Sequence, residues 1–166
     1  CPFEDGGVIV SGTGSIGFAF DKDKVIRVGG WGKDLSDLGS GYWIGRKFLE
    51  KYILYLEDME EKDDSFDRME ILGNDRKKQL EKIVEKYDTA EKIASVARFV
   101  IEEKDTSLCS KILDKAVEKL MMMIKEISKS IEKDSYILVL SGGVAISDAV
   151  TDKIQKKIVE NALGNR

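Results

Sequence analysis

The chain has 166 residues, 42% of them hydrophobic and 35% charged, with a formal net charge of −4. This length suits one domain with a sizeable core, and the acidic balance leaves no basic stripe for nucleic acid. No apolar run approaches the roughly 20 residues of a membrane span, and no secretory signal is visible. The missing signal and the presence of only two cysteines predict a protein of the reducing cytoplasm. The charge balance and the lack of a long apolar run predict neither nucleic-acid nor membrane partners.

The first part of the chain predicts a β-meander with a glycine-rich turn. Residues 8–10, 16–20 and 25–28 are apolar runs whose connections are too short for parallel crossovers. The first connection contains Gly12, Thr13, Gly14 and Ser15. Such a turn can direct backbone N–H groups and hydroxyls at a phosphate, and a tight hairpin without a ligand is the alternative.

The middle of the chain predicts amphipathic helices. The first begins after a cap at Asp37 or Ser40 and extends to Leu56, and others follow at residues 75–87, 89–101 and 107–131. The third helix is predicted to begin with a capping box of Asp88 and Glu91. Cys109 and the methionines at 121–123 are interpreted as packing residues. The acidic residues 57–67 are interpreted as a solvated helix end and loop, with a cation site as the alternative.

The end of the chain predicts a strand at residues 136–140 and a last helix capped by Ser147. The helix carries Val150, Ile154, Ile158, Ala162 and Leu163, and Gly164 suits its C-terminal cap. Residues 142–143 are a glycine pair between this strand and this helix. That position is typical of nucleotide-binding turns in α/β proteins, and a close-packed turn without a ligand is the alternative.

The order of these motifs is specific. The runs VSGTGS, GGWG and GSGYWIG, followed by a strand, a glycine pair and a helix, resemble the C-terminal lobe of the N-acetylglucosamine kinases and the BadF/BadG-type ATPases, in the superfamily of actin and the hexokinases. The resemblance covers essentially the whole chain. It implies an α/β, ribonuclease-H-like actin-type ATPase lobe in which three antiparallel strands are followed by helices, a further strand and a C-terminal helix.

The resemblance also implies a domain organisation. Residues 1–166 would form the C-terminal lobe of a two-lobe protein, with a helical insert at about residues 57–131. The chain begins at Cys1 without an initiator Met, so we expect the N-terminal lobe, with the first phosphate loop and the catalytic general base, to lie upstream. A homodimer contact through the helical insert is a further hypothesis.

The resemblance implies ATP and Mg²⁺ as cofactors, and it implies roles for particular residues. Phosphate would be bound by Gly12, Thr13, Gly14 and Ser15. Adenosine would be bound by Gly142 and Gly143. The sugar would be bound by Gly30, Trp31 and Asp37. No catalytic base and no metal ligand is expected in this chain. An aromatic face and a carboxylate suit a sugar, and the alternatives are that Trp31 is a core residue and Asp37 a helix cap.

One departure from the family bears on specificity. The family pattern Gly-Asp-Glu-Gly-Ser stands here as residues 36–40 with Leu38 in place of the glutamate, which removes a sugar contact that the resemblance implies. The predicted function is ATP-dependent phosphorylation of N-acetylglucosamine or a related hexose by the complete protein, with this chain alone inactive. The alternatives are an ATPase activator of an acyl-CoA reductase or dehydratase, which needs cysteine ligands for an iron–sulfur cluster, and a non-catalytic nucleotide-binding protein.

Overall fold

The computed structural model describes residues 5–69, 75–133 and 135–164, with the side chains of residues 162–164 outside that description. Cys1 lies outside the described residues. In chain order the described elements are β1 (Gly6–Ser11), β2 (Ser15–Asp21), β3 (Lys24–Gly29), α1 (Gly41–Leu56), α2 (Asp64–Arg68), α3 (Arg76–Lys86), α4 (Ala90–Glu102), α5 (Ser107–Lys129), β4 (Ile137–Ser141) and α6 (Asp148–Gly164).

The strands form one sheet in the order β3-β2-β1-β4. β2 pairs antiparallel with β1 and with β3, while β4 pairs parallel with β1 through a register that places Val10 opposite Ser141. The predicted meander is therefore confirmed. Because β1, β3 and β4 all run in one direction, their carboxyl ends meet at the same edge of the sheet, where ligands bind in α/β proteins.

The long helix α5 supplies most of the core between the sheet and the other helices. Its apolar residues recur every three or four positions, so they form a buried stripe, and the helix contacts β1, β2 and β3 as well as α1, α4 and α6. Cys109 lies in this stripe and is fully buried, as predicted. Of the three consecutive methionines only Met123 is buried, and Met122 faces solvent, so the packing prediction was wrong for Met122.

Helix α1 begins near the sheet edge where the carboxyl ends of β1, β3 and β4 meet, and it packs closely on α4. Ser40 is its N-cap, and the Ser40 side chain accepts a hydrogen bond from the Trp43 N–H at 3.2 Å. The alternative of Asp37 as the cap is therefore wrong. A Cβ on Gly45 would lie 2.0 Å from the carbonyl oxygen of Ile93 in α4, so the two helix backbones approach within a distance that only glycine permits.

The structure corrects the prediction for residues 57–67. The end of this acidic run forms α2, where Phe66 is buried and Asp63 is the N-cap that accepts from the Ser65 N–H at 3.0 Å. The sequence did not predict this helix, because α2 is rich in acidic residues and Phe66 is its single large apolar residue. Asp63 also accepts from the Leu108 N–H at 2.9 Å, so it joins α2 to the start of α5.

One smaller prediction about the helices was wrong. Thr89, not Asp88, caps α4 by accepting from the Lys92 N–H, while Asp88 pairs with the Lys92 ammonium group. Ser147 directly precedes α6, and its carbonyl accepts from the N–H groups of Val150 and Thr151, while its hydroxyl donates to the Val144 carbonyl. On α6, Val150 and Ile154 are buried and Ile158 is exposed. No described helix combines the length and the apolar character that crossing a membrane requires.

Candidate functional site

The sheet edge brings together residues that are far apart in sequence. The turn of residues 12–14 follows β1, residues 30–31 follow β3, and residues 142–143 follow β4. A fourth segment, residues 37–40, reaches the same edge as it enters α1: the Gly41 N–H donates to the Gly12 carbonyl at 2.7 Å, and the Tyr42 N–H donates to the Thr13 carbonyl at 3.0 Å. The predicted phosphate, adenosine and sugar motifs thus share one side of the molecule.

The turn of residues 12–14 after β1, called the phosphate turn after its predicted role, offers fewer hydrogen-bond donors than its sequence suggests. The Gly12 N–H donates to the Gly14 carbonyl at 2.9 Å, so this group is already used within the turn. The N–H groups of Thr13 and Gly14 make no backbone hydrogen bond within the part of the chain that the structure describes. Thr13 is also exposed to solvent. These two residues are therefore the ones whose N–H groups are available to a phosphate.

Ser15 is placed differently from the rest of the predicted phosphate site. Its side chain is buried, with 3% exposure, and its hydroxyl donates to the Leu38 carbonyl at 2.9 Å. A hydroxyl has a single proton to donate, so this geometry joins Ser15 to the protein and directs its proton away from the open side of the turn. Contact between Ser15 and phosphate stays a prediction without geometric support.

The two glycines after β4 differ in their surroundings. Gly142 has φ +85°, and a Cβ there would lie 2.5 Å from the Ser11 carbonyl oxygen. Both the backbone angle and the close approach to β1 require glycine. Gly143 is exposed, and a Cβ there would meet nothing within 4 Å. The surface beside Gly143 is therefore open, and contact between this glycine pair and adenosine stays a prediction.

The aromatic residue of the predicted sugar site is accessible. Trp31 is 67% exposed, so the alternative of a core tryptophan is wrong. The guanidinium carbon of Arg27 lies 4.1 Å from the Trp31 ring centroid, and the Arg27 side chain also donates to the carbonyls of Gly29 and Gly30. Arg27, whose contact the sequence did not predict, therefore covers one face of the indole ring.

Asp37 lies directly beside the phosphate turn. A Cβ on Gly14 would be 2.6 Å from an Asp37 carboxylate oxygen, so the carboxylate packs against the turn. Asp37 also lines a cavity of about 180 Å³ formed by residues 33–38 and the first turns of α1. Gly30 and Trp31 do not line this cavity. Among the predicted residues, Asp37 alone lies both at the turn and in the cavity.

Cationic side chains surround the same cavity. Lys33, Arg46 and Lys47 all line it. Arg46 and Lys47 each donate to Glu50 at 2.8 Å. Burial by itself would raise the pKa of Glu50, but the hydrogen bonds from Lys47 and Arg46 outweigh burial and lower that pKa. Two carboxylates, Asp34 and Asp37, also line the cavity. The cavity therefore combines these two acidic groups with three basic ones, of which Arg46 and Lys47 are paired with Glu50.

The chemistry of the described residues fits a metal that arrives with its ligand. No group of three or more His, Cys, Asp or Glu residues placed to hold a metal ion occurs in residues 5–69, 75–133 and 135–164. Mg²⁺ often binds through substrate phosphates, water and only one or two carboxylates. A phosphate turn with Asp37 beside it is compatible with that mode of binding.

A larger cavity lies on another side of the molecule. It has a volume of about 1020 Å³ and lies between α5, β4 and α6, with Met121, Tyr136, Leu138 and Ile158 among its lining. None of the predicted site residues, all of which the structure describes, lines this cavity.

Sequence comparisons identify relatives of this chain. It is 29% identical over 167 residues to an N-acetyl-D-glucosamine kinase of Dictyostelium discoideum, with 94% of this chain and 52% of the relative covered. It is 29% identical over 149 residues to an N-acetylmuramic acid/N-acetylglucosamine kinase of Clostridium acetobutylicum, with 84% of this chain and 48% of the relative covered. The chain therefore spans about half the length of the curated relatives that it matches.

Solved structures show the same fold. One from Chromobacterium violaceum, provisionally described as an N-acetylglucosamine kinase, superposes with a TM-score of 0.79 over 95% of this chain and 54% of its own, at 21% identity. A second, from Porphyromonas gingivalis and described in the same provisional way, gives 0.63 over 93% and 53%, at 17% identity. The α/β actin-type ATPase fold expected from the sequence is confirmed.

A family profile also matches the chain over nearly its whole length. The profile covers residues 3–166, and this range includes every motif at the sheet edge. The chain belongs to the BadF/BadG/BcrA/BcrD ATPase family.

Proposed function

We propose that this chain is the C-terminal lobe of a two-lobe kinase that transfers a phosphoryl group from ATP to a sugar, N-acetylglucosamine or a related hexose. The observation that carries the proposal is the position of Asp37, whose carboxylate packs against Gly14 of the phosphate turn and lines the adjacent cavity. Phosphoryl transfer requires donor and acceptor to be held next to each other. Family membership and the names of the relatives support the same reaction.

In the proposed mechanism, this chain binds and orients the two substrates. The N–H groups of Thr13 and Gly14 donate to phosphate oxygens of ATP, and adenosine lies beside Gly143. Asp37 accepts a hydrogen bond from a sugar hydroxyl, which holds that hydroxyl towards the phosphate. Mg²⁺, bound with ATP, would neutralise the developing phosphate charge. The general base that takes the hydroxyl proton belongs to the other half of the complete protein.

The identity of the sugar is a second question at the same site. The name of the Clostridium acetobutylicum relative includes N-acetylmuramic acid, a sugar with a carboxylate. Lys33, Arg46 and Lys47 line the cavity beside Asp37, and Leu38 stands where the family pattern has an acidic side chain. Asp34 and Asp37 line the cavity too, and Glu50 pairs with Arg46 and Lys47, so Lys33 is the lining cation left to attract an anionic substituent on the sugar. Leucine at position 38 adds no carboxylate that would repel such a substituent.

The test is an ADP-release assay on the complete protein that contains this chain, with ATP and Mg²⁺. The sugars are N-acetylglucosamine, N-acetylmuramic acid, N-acetylmannosamine, glucosamine and glucose. We expect ADP release to depend on an added N-acetylated amino sugar. ATP hydrolysis that no sugar stimulates, or nucleotide binding without turnover, contradicts the proposal.

The burial of Cys109 does not favour the alternative function, an ATPase activator of an acyl-CoA reductase or dehydratase. Such a protein shares an iron–sulfur cluster between subunits and needs accessible thiolates. Cys109 is fully buried in the α5 stripe, where burial raises the pKa of its thiol despite hydrogen bonds with Thr106 and Ser65. Cys109 is therefore poorly placed to ligate a cluster at a subunit interface.

A further inference from the structure

Two serines at the base of the phosphate turn have hydroxyls that point into the protein. Ser11 ends β1, Ser15 begins β2, and the two residues are paired across the hairpin. Both are buried, with exposures of 0% and 3%. The Ser11 hydroxyl donates to the Gly39 carbonyl at 3.0 Å, and the Ser15 hydroxyl donates to the Leu38 carbonyl at 2.9 Å. Each end of the turn is thus hydrogen-bonded to the segment that follows Asp37.

The segment of residues 38–39, which follows Asp37, also packs against α5 on its other side. Gly39 has φ +73°, and a Cβ there would lie 2.7 Å from the Ala116 carbonyl oxygen of α5. The segment is therefore held between the base of the phosphate turn and α5. The hydrogen bond between Ser15 and Leu38 acts on the residue adjacent to Asp37, whose carboxylate packs against Gly14. The bonds from Gly41 to Gly12 and from Tyr42 to Thr13 attach the following residues to the same turn.

Ser11 also contacts the turn between β4 and α6. Its carbonyl accepts from the Val144 N–H at 2.9 Å and from the Ala145 N–H at 3.2 Å. The turn after β4 is thereby attached to the same residue whose hydroxyl holds Gly39. Ser11 consequently contacts the phosphate turn, the Asp37 segment and the proposed adenosine turn.

We infer that Ser11 and Ser15 are positioning residues, which hold Asp37 at a fixed distance from the phosphate turn without contacting either substrate. This inference rests on the proposed function, because it concerns the alignment of the sugar hydroxyl with ATP. It gives Ser15 a role different from the phosphate contact predicted from the sequence. Small errors of alignment have large effects on rate: a misplacement of about 1 Å can lower it about 100-fold.

The first test measures steady-state kinetics of the complete protein carrying Ser15→Ala or Ser11→Ala. We expect kcat to fall at least about tenfold while the KM for ATP changes by less than about twofold, because the turn that binds phosphate stays in place. Ser65→Ala is the matched control, since Ser65 is also fully buried and its hydroxyl donates to Asp63 in the helical region. An unchanged kcat in Ser15→Ala, or a change in the KM for ATP alone, overturns the inference. If Ser11→Ala does not fold, Ser15→Ala carries the test.

A double-mutant cycle separates positioning from general destabilisation. If Ser15 acts through Asp37, the variant Ser15→Ala/Asp37→Asn has the same kcat as Asp37→Asn alone. Losses that multiply would mean that Ser15 acts independently of Asp37, which overturns the inference.

An activity-independent measurement distinguishes failure of this inference from failure of the proposed function. If the unaltered complete protein shows no sugar-dependent turnover, the proposed function has failed. Amide hydrogen exchange then decides the structural claim. The N–H groups of Gly41 and Tyr42 should exchange roughly fivefold faster in Ser15→Ala than in Ser65→Ala, because loss of the hydroxyl loosens the attached segment. Equal exchange in the two variants overturns the claim that Ser15 holds that segment.

Discussion

At the scale of single residues, the Asp37 carboxylate is central to the proposed site. We expect Asp37→Asn in the complete protein to lower kcat/KM for the sugar about 10- to 100-fold, because a hydrogen bond to a charged acceptor contributes about 1.5–3 kcal/mol. The KM for ATP should stay nearly constant. ADP release measured over a matrix of sugar and ATP concentrations checks both expectations.

Asp114→Asn is the matched control for this prediction. Asp114 is an exposed carboxylate that pairs with Lys153 on α6, so its neutralisation should leave both kinetic constants unchanged. If Asp37→Asn raised the KM for ATP and spared the sugar, Asp37 would belong to the nucleotide site and not to the sugar site.

Asp63 gives a prediction about stability and pH. Burial alone would raise its pKa, but hydrogen bonds from the Ser65 hydroxyl and from the N–H groups of Ser65 and Leu108 lower it below 3.8. A lowered folded-state pKa means that the carboxylate stabilises the fold fully above about pH 4, and that this contribution is lost as the pH falls through the folded-state value. We expect Asp63→Asn to cost about 1–3 kcal/mol at pH 7.

Urea unfolding of both proteins at pH 7, 4 and 3 tests this expectation. The stability difference between the unaltered chain and Asp63→Asn should shrink below pH 4. Asp114→Asn again serves as the exposed comparison. A difference that stays constant from pH 7 to pH 3 would mean that Asp63 is not the group that titrates.

The sequence indicated which residue types gather at the site but not what each side chain does there. Gly12, Thr13 and Gly14 could be assigned to a turn because glycine spacing is a local property. Whether a serine hydroxyl meets a ligand or a carbonyl depends on a segment more than twenty residues away, as for Ser15 and Leu38. Ser11 was missed for the same reason, although its symmetrical place opposite Ser15 was a usable signal.

At the scale of elements, the turn between β4 and α6 gives a prediction with an internal control. Gly142→Ala should destabilise the chain by about 1–3 kcal/mol, because alanine is strained at φ +85° and its Cβ would collide with the Ser11 carbonyl. Gly143→Ala should change stability little, since its Cβ would meet nothing within 4 Å. Thermal unfolding of the two variants is the measurement, and equal effects would contradict the packing of Gly142 on β1.

The helices and strands themselves were largely predictable. Amphipathic periodicity located α1, α3, α4 and α5, because one face of each helix must be buried. The errors arose where short-range signals compete. Thr89 and Asp88 are adjacent residues that can both cap a helix, and α2 lies in an acidic run whose single large apolar residue, Phe66, gave too weak a pattern.

At the scale of the whole molecule, we expect the 166-residue chain alone to release no ADP in response to sugar, whereas the complete protein does. Phosphoryl transfer needs groups on both sides of the substrates, and under the two-lobe proposal this chain would supply the donors of one side only. The same assay applied to both proteins at equal concentration tests the expectation. Sugar-dependent turnover by the chain alone would contradict the two-lobe proposal.

The order of the sheet was predictable only in part. Short connections imply the meander of β1, β2 and β3. A further strand after the helices was expected from the family resemblance, and the structure shows that it pairs with β1, which brings the motif-bearing strand ends to one edge. Contacts such as those of Asp37 with Gly14 and of Gly39 with α5 join residues of different elements. No local pattern encodes them, so they required the three-dimensional structure.

The hydrogen bond from Ser15 to the Leu38 carbonyl has a consequence for how this site can evolve. Because the acceptor is a main-chain oxygen, the bond does not involve the Leu38 side chain. The Leu38 side chain lines the cavity beside Asp37. Substitutions at position 38 can therefore reshape the lining of this cavity while the hydrogen bond from Ser15 is kept. In the proposed kinase, such substitutions would change the substrate preference through a single side chain.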